Sequence, residues 1–391
     1  MSLEIAKKIA QRLREAGYEA WLVGGCVRDL LLGRTPKDCD VSTSARPDQV
    51  QALFPGSLLV GAHFGVVIVR EGGELTEVAT YRSDGNYSDG RRPDKVTFES
   101  DVRKDLERRD FTINAMLLDP VSGKVVDLVG GRRDLEAGLI RAIGEPVVRF
   151  REDHLRLMRA VRFAARFGFT IEARTWEAIC AECESIGKIA VERVKGELAR
   201  ILTEGNAPCG MGLLRESGLL RIILPEAGSL EILGRLQSPG FELALAAVLL
   251  NGDAARAVER LKLSNDERAR VLALCEYHSR FDEIGGMRTA VLKRFLRMKD
   301  FHQHLELYRA AVAGDSRYES ARALLVSMTE EMLWPARLLT GDDLKRMGVK
   351  SGPRFAEILT ALEDAQLEGR VHGRQDAEAF VRAAISGGSS T

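Results

Sequence analysis

Asp38 and Asp40 stand two positions apart in the run K-D-C-D-V. On a strand, residues i and i+2 face the same way, so the two carboxylates converge while Cys39 points into the core. Like charges held that close repel and shift each other's titration unless a divalent cation sits between them. Hard oxygen donors with open positions suit Mg2+, which binds through one or two carboxylates together with substrate phosphates. Just upstream, in G-G-C-V-R-D, Gly24 and Gly25 end an apolar strand and open a short helix expected over 27–32 and closed by Gly33. Glycines at such a turn let backbone N–H groups approach a phosphate, and the helix dipole assists. Arg28, early in that helix, adds a charge that can neutralise a triphosphate. D-x-D alone reads as a solvated strand end; G-G-x-V-R-D ahead of it shifts the reading to metal-assisted phosphate chemistry.

These residues need a scaffold, and the chain is long enough to supply several cores: 391 residues, 45% of them hydrophobic. Residues 1–143 mix strand and helix signals, with buried strands expected at 20–23 and 65–69 and an alternating one at 75–81. From about 145 onward amphipathic helical patterns follow one another to 386. The expected fold is therefore an α/β head with a small mixed sheet, followed by an all-α remainder. Lys and Arg total 57, as do Asp and Glu, so no global basic field draws the chain onto nucleic acid, and any RNA must meet a local basic face. The longest apolar run, 243–250, is far shorter than the roughly 20 residues that span a bilayer. Residues 1–20 form an amphipathic helix pattern rather than a secretion signal, so we expect a cytoplasmic protein. The six cysteines are too sparse for a disulfide framework. Cys180 and Cys183 make a lone C-x-x-C in a helical pattern, without the second pair or nearby His that a zinc site needs.

The run G-G-C-V-R-D-L-L-L-G followed by K-D-C-D-V resembles the signature of the DNA polymerase β-like nucleotidyltransferase superfamily. Together with R-R-D-F-T-I-N-A at 108–115 and E-D-H-L-R at 152–156, it resembles the class II tRNA nucleotidyltransferase and bacterial poly(A) polymerase family, closely over 20–200 and loosely beyond. The resemblance implies a nucleotidyltransferase head at 1–143, a nucleotide-selecting helical neck at 144–205, a helical body at 206–335 and an RNA-binding tail at 336–391. The end of that tail, S-G-G-S-S-T, is expected to be disordered. It implies Mg2+ ions at Asp38 and Asp40 for in-line displacement of pyrophosphate. A third carboxylate is usual in such sites, and Glu77 in L-T-E-V-A-T-Y is the candidate, on a strand able to run beside that of Asp38.

The stretch 151–163, R-E-D-H-L-R-L-M-R-A-V-R-F, predicts one helix beginning near Arg151. Along it Asp153, Arg156, Arg159 and Arg162 drift across one side by about 60° each, while Leu155, Met158, Val161 and Ala165 form the apolar stripe. Asp153 and Arg156 set an acceptor beside rigid donors. That suits cytosine and adenine, whose amino groups donate next to ring acceptors, whereas uracil and guanine carry a carbonyl there. A solvated helix laced by i,i+3 salt bridges would account for the same charges; the resemblance makes Asp153, Arg156 and Arg159 an amino-acid template for base choice. Arg109 and Asp110 suit triphosphate and ribose contacts, Asn114 orders the loop or the sugar, and Phe111, Ile113 and Ala115 anchor the segment. The Gly-, Ser- and Asp-rich stretch 83–98 is expected to be a mobile loop of the kind family members use for adding adenosine.

The expected activity is template-independent addition of the 3′-terminal CCA of tRNA, or of its terminal A, from CTP and ATP. The partners are the tRNA 3′ end, ATP and CTP, with no membrane and no obligate protein partner. A poly(A) polymerase is the alternative. Against it, 61–67 departs from that branch's G-[RK]-[RK]-F-x-[LI]-x-H pattern, and a strongly basic tail is missing. His63, without an evident catalytic partner, is expected to serve packing.

Overall fold

The computed structural model describes residues 2–60, 64–85, 95–313, 316–350 and 352–386. Its head is a seven-stranded mixed sheet in the order β3-β4-β5-β2-β1-β8-β9. The strands are β1 Ala20–Val23, β2 Asp40–Thr43, β3 Leu58–Leu59, β4 Val66–Glu71, β5 Glu74–Thr80, β8 Met116–Leu118 and β9 Val125–Asp127. Arg82–Asp84 and Val96–Phe98 form β6 and β7, a separate antiparallel ribbon. The helices of this region are α1 Ser2–Glu15, α2 Gly25–Leu31, α3 Pro47–Leu53, α4 Val102–Glu107 and α5 Gly131–Glu136. Helix α1 buries Ala6, Ile9, Ala10 and Leu13, the i, i+3, i+4, i+7 stripe that its sequence announces.

Strand β2 lies between β1, antiparallel with Val23 opposite Asp40, and β5, parallel with Val41 opposite Val78. One step before that last pair, Asp40 and Glu77 therefore sit on neighbouring strands at matching positions. Two expectations need correction. Strand β2 begins at Asp40, so Asp38 lies in the segment leading into it and is exposed, although Cys39 between them is buried as alternation requires. The stretch expected as one mobile loop contains the β6–β7 ribbon; its middle, 86–94, lies outside the described residues, as do His63 and the tail end 387–391.

Beyond the sheet the chain is mostly helical, beginning with α6 Pro146–Glu152, α7 Arg156–Phe167, α8 Ala173–Glu182 and α9 Val191–Thr203, with a short parallel pairing of Leu139–Ile140 and Thr170–Ile171. The single helix expected from Arg151 is broken. Asp153 takes extended angles (φ −139°, ψ 102°), its carboxylate accepts the Leu155 N–H and its carbonyl accepts the Arg156 N–H, so α7 starts afresh. An Asp that can bond the backbone just ahead favours this break over a continuing helix. The expected stripe survives, with Leu155, Met158, Val161 and Ala165 all buried.

The chain divides into two compact units, Met1–Gly234 with Asn251–Leu263, and Arg235–Leu250 with Ser264–Thr391. The span 206–335 expected as a body thus contributes to both. In the second unit one core gathers Phe281, Phe295, Phe301 and Tyr308, and another gathers Leu344, Ile358, Leu362 and Val381. No helix among the described residues is long and apolar enough to cross a membrane.

Candidate active site

A cavity of about 480 Å3 in the first unit is lined by Gly24, Gly25 and Arg28, by Asp40, by Arg109, Asp110 and Asn114, and by Asp153, Arg156, Arg159 and Arg162. Three sequence motifs spread between residues 24 and 162 converge there. Of the residues singled out from the sequence, Asp38 and Glu77 do not line this cavity; both are exposed. Their charges nonetheless reach Asp40. Burial first, then Glu77 and Asp38, push the Asp40 carboxyl up to about 6, with Arg109 pulling the other way. A cluster of carboxylates that raises its own protonation in this way is short of positive charge, and oxygen donors of this kind fit a hard divalent cation. The described residues hold no ready-made group of three ligands.

Gly24 has φ +85°, a conformation that glycine adopts freely. A Cβ there would stand 3.5 Å from Arg109 Nη1 and 3.9 Å from Asp40 Oδ2, so the bare backbone faces the charged end of the cavity. Arg28 is only 4% exposed. Its guanidinium donates to Asp29 Oδ1 and to Asn114 Oδ1 and lies over the Phe163 and Phe167 rings at 5.3 and 4.6 Å. Arg28, expected from the sequence to neutralise a triphosphate, thus lines the cavity while carboxylate, amide and ring partners hold its guanidinium in place.

Asp110 is the hinge of the next motif. It accepts from the Phe111 N–H, from Asn114 Nδ2 and from Arg159 Nε and Nη2, the last at 2.6 Å. Burial pushes its carboxyl up, but Arg159 and Asn114 more than offset this and hold it near 2. Arg162 pairs with Glu197 of α9 at 2.8 Å, both nearly buried, and burial lowers its guanidinium to about 10, still charged at neutral pH. Phe111, Ile113 and Ala115 are fully buried, anchoring the segment.

Asp153 and Arg156 face the same cavity but do not bond side chain to side chain. The Asp153 carboxylate receives both Arg193 Nη1 and Nη2, at 3.2 and 2.9 Å. Arg156 donates to Glu152 and to the carbonyls of Arg149 and Arg108. The acceptor and the donor are thus each braced from behind. His154 is buried with Nδ1 on the Phe150 carbonyl.

The sequence offered Arg193 only as part of a helix start supporting the neck, whereas it reaches Asp153 across forty positions; Asp105, a fully buried carboxylate bonded to Arg108 and Arg109, was missed. The signal for Asp105 was present as an acid three and four residues ahead of two arginines on a short helix. For Arg193 the signal is the run V-E-R-V-K-G-E-L at 191–198, which resembles the family's last motif and opens α9.

Residues 20–141 match the family model described as "Poly A polymerase head domain", and 168–230 match "Probable RNA and SrmB- binding site of polymerase A". The CCA-adding enzyme of Lactiplantibacillus plantarum is 34% identical over 96% of this chain and 94% of its own. The crystal structure of Bacillus stearothermophilus CCA-adding enzyme in complex with CTP superposes with a TM-score of 0.82 at 31% identity, over 98% of this chain and 97% of that one. Thermotoga maritima CCA-adding enzyme complexed with tRNA shares the fold, with a TM-score of 0.71 at 22% identity over 97% and 95% of the two chains.

Proposed function

From the premise that this chain belongs to the class II tRNA nucleotidyltransferase family, we propose that it completes the 3′-terminal CCA of tRNA from CTP and ATP without a nucleic-acid template. The chemistry is attack of the RNA 3′-hydroxyl on the α-phosphate of the nucleotide: the hydroxyl loses its proton, the new P–O bond forms and pyrophosphate leaves. Nucleotidyl transfer in this family depends on a divalent metal. We assign that role to Mg2+, held by Asp40 with Asp38 and flanked by Glu77. When bound, the ion polarises the phosphate and favours the alkoxide form of the 3′-hydroxyl.

The protein's own groups do the rest. The backbone at Gly24 and Gly25 and the guanidinium of Arg109 receive the triphosphate, and Arg28 fixes that wall from within by tying α2 to Asn114. Asp110, held ionised, orients Arg159 and with Asn114 shapes the ribose end. Asp153, braced by Arg193, accepts the exocyclic amino group of cytosine or adenine, while Arg156 donates to the ring acceptors and Arg162 stiffens α7 against α9. What carries this reading is the single cavity in which all three motifs meet beside a carboxylate short of positive charge. Its free cysteines and its substrate suit a cytoplasmic setting.

The test is incubation with tRNAs ending before CCA, after C and after CC, with product sequencing, in wild type and in Asp153→Ala. Wild type should extend all three substrates to CCA. The variant should gain UTP incorporation relative to CTP by roughly 10- to 150-fold, the equivalent of one charge-assisted contact of about 1.5–3 kcal/mol. Extension of oligo(A) in preference to every tRNA would favour poly(A) synthesis instead.

A further inference from the structure

Asp105 is fully buried on α4, and its carboxylate is divided between two tasks. Oδ1 accepts Arg108 Nε and Nη2 at 2.9 and 2.7 Å; Oδ2 accepts the Ser42 hydroxyl at 3.1 Å and Arg109 Nη2 at 3.2 Å. Ser42 is two residues beyond Asp40 on β2 and so shares its face of the sheet. Arg109 therefore lies between two acidic groups. It is bonded to Asp105 through Nη2, whereas Nη1 comes near Gly24, where Asp40 Oδ2 also points. Arg109 Nε is buried with no hydrogen-bond partner, and Arg109 makes no ion pair with Asp40 among the described residues. An unpaired donor beside a carboxylate that carries unmet negative charge would normally close onto it.

We propose that Asp105 is a positioning residue whose buried carboxylate holds Arg109 off Asp40, leaving Asp40 open to a divalent cation and leaving Arg109 Nη1 for the phosphate. The proposal rests on the reading of Asp40 as a metal ligand. Without the charge at Asp105, Arg109 swings to the nearest remaining anion, Asp40, and competes there with the metal. The substitution Asp105→Asn keeps the shape and leaves an amide oxygen for Ser42 but removes the competing charge.

The measurement is calorimetric titration of the full-length protein with Mn2+ alone, with melting curves run beside it. Wild type should bind, Asp40→Asn should lose the binding, and Asp105→Asn should weaken it at least fivefold. Adding Arg109→Gln to Asp105→Asn should return the affinity to within twofold of wild type, a rescue that a merely structural Asp105 cannot produce. Should Asp105→Asn lack a native melting transition, Arg109→Gln alone decides, with tighter Mn2+ binding expected from removal of the neighbouring cation. An affinity within twofold of wild type in Asp105→Asn, or in Arg109→Gln when that variant decides, overturns the proposal while Asp40→Asn still abolishes binding. Undiminished binding in Asp40→Asn overturns the metal reading beneath it as well.

Discussion

The two units bury charge in opposite ways. In the first, arginines and carboxylates pair inside the protein: Arg162 with Glu197 at 5% and 7% side-chain exposure, Arg28 with Asp29, Asp105 with Arg108 and Arg109. In the second, the interior is aromatic, with Phe281 stacked on Tyr308 at 4.7 Å and edge-on to Phe295 at 4.9 Å. Its pair of Arg374 with Asp343 leaves the arginine in water. A buried ion pair is a poor source of stability compared with apolar packing, yet losing one partner is costly because the other is stranded. The first unit thus keeps its charges for what they do in the cavity, and its stability and its chemistry are entangled. The second unit's cores contain none of the residues that line the cavity.

That contrast can be broken most severely at Asp110. Asp110→Ala strands Arg159 and frees Asn114, so it should lower the first unit's stability by about 3–5 kcal/mol and reduce nucleotide transfer together. Parallel melting and single-turnover assays check this, and a variant with full stability but no transfer would show the two to be separable. Phe281→Ala, a fully buried ring lost from the second unit, should cost a similar ~3–5 kcal/mol. Here CTP binding measured by titration should stay within about twofold of wild type. The smallest effect concerns His304, buried in the second unit with Nδ1 unpartnered. Burial lowers its imidazole to about 4, with Asp300 opposing and His302 adding to the shift. Between its ordinary value near 6.5 and pH 4 the unfolded chain takes up a proton that the folded chain refuses. The second unit should therefore lose stability as pH falls through that window and lose no more from this group below it. His304→Leu should flatten that part of the melting-temperature profile relative to wild type.

Much of the head was legible from the sequence because its signals are local. Gly24-Gly25, the alternation around Asp40, and the apolar Phe111, Ile113 and Ala115 each follow from neighbours a few positions away. The meeting of Asp40 with Glu77 was anticipated only as a possible strand pairing, and register is a property of two strands rather than of either. The helix expected through Asp153 failed for a different reason: its apolar periodicity continues across the break, while the Asp side chain bonds the backbone and starts a new helix. The burial of Arg28 was not legible because residue type gives charge but not burial. Its partners Asn114, Phe163 and Phe167 lie far along the chain, as does Arg193 from Asp153.

The cavity's lining runs from Gly24 to Arg193, and this order has a consequence for synthesis. A ribosome adding about 5–20 residues per second delivers Asp40 and then takes roughly 8–30 seconds to reach Arg193. For most of that interval the nascent chain carries Asp40 without α7 and α9, and so without the far wall of the cavity. On the roles proposed above, the groups that select the base are also those that close the cavity, and they are the last to be made.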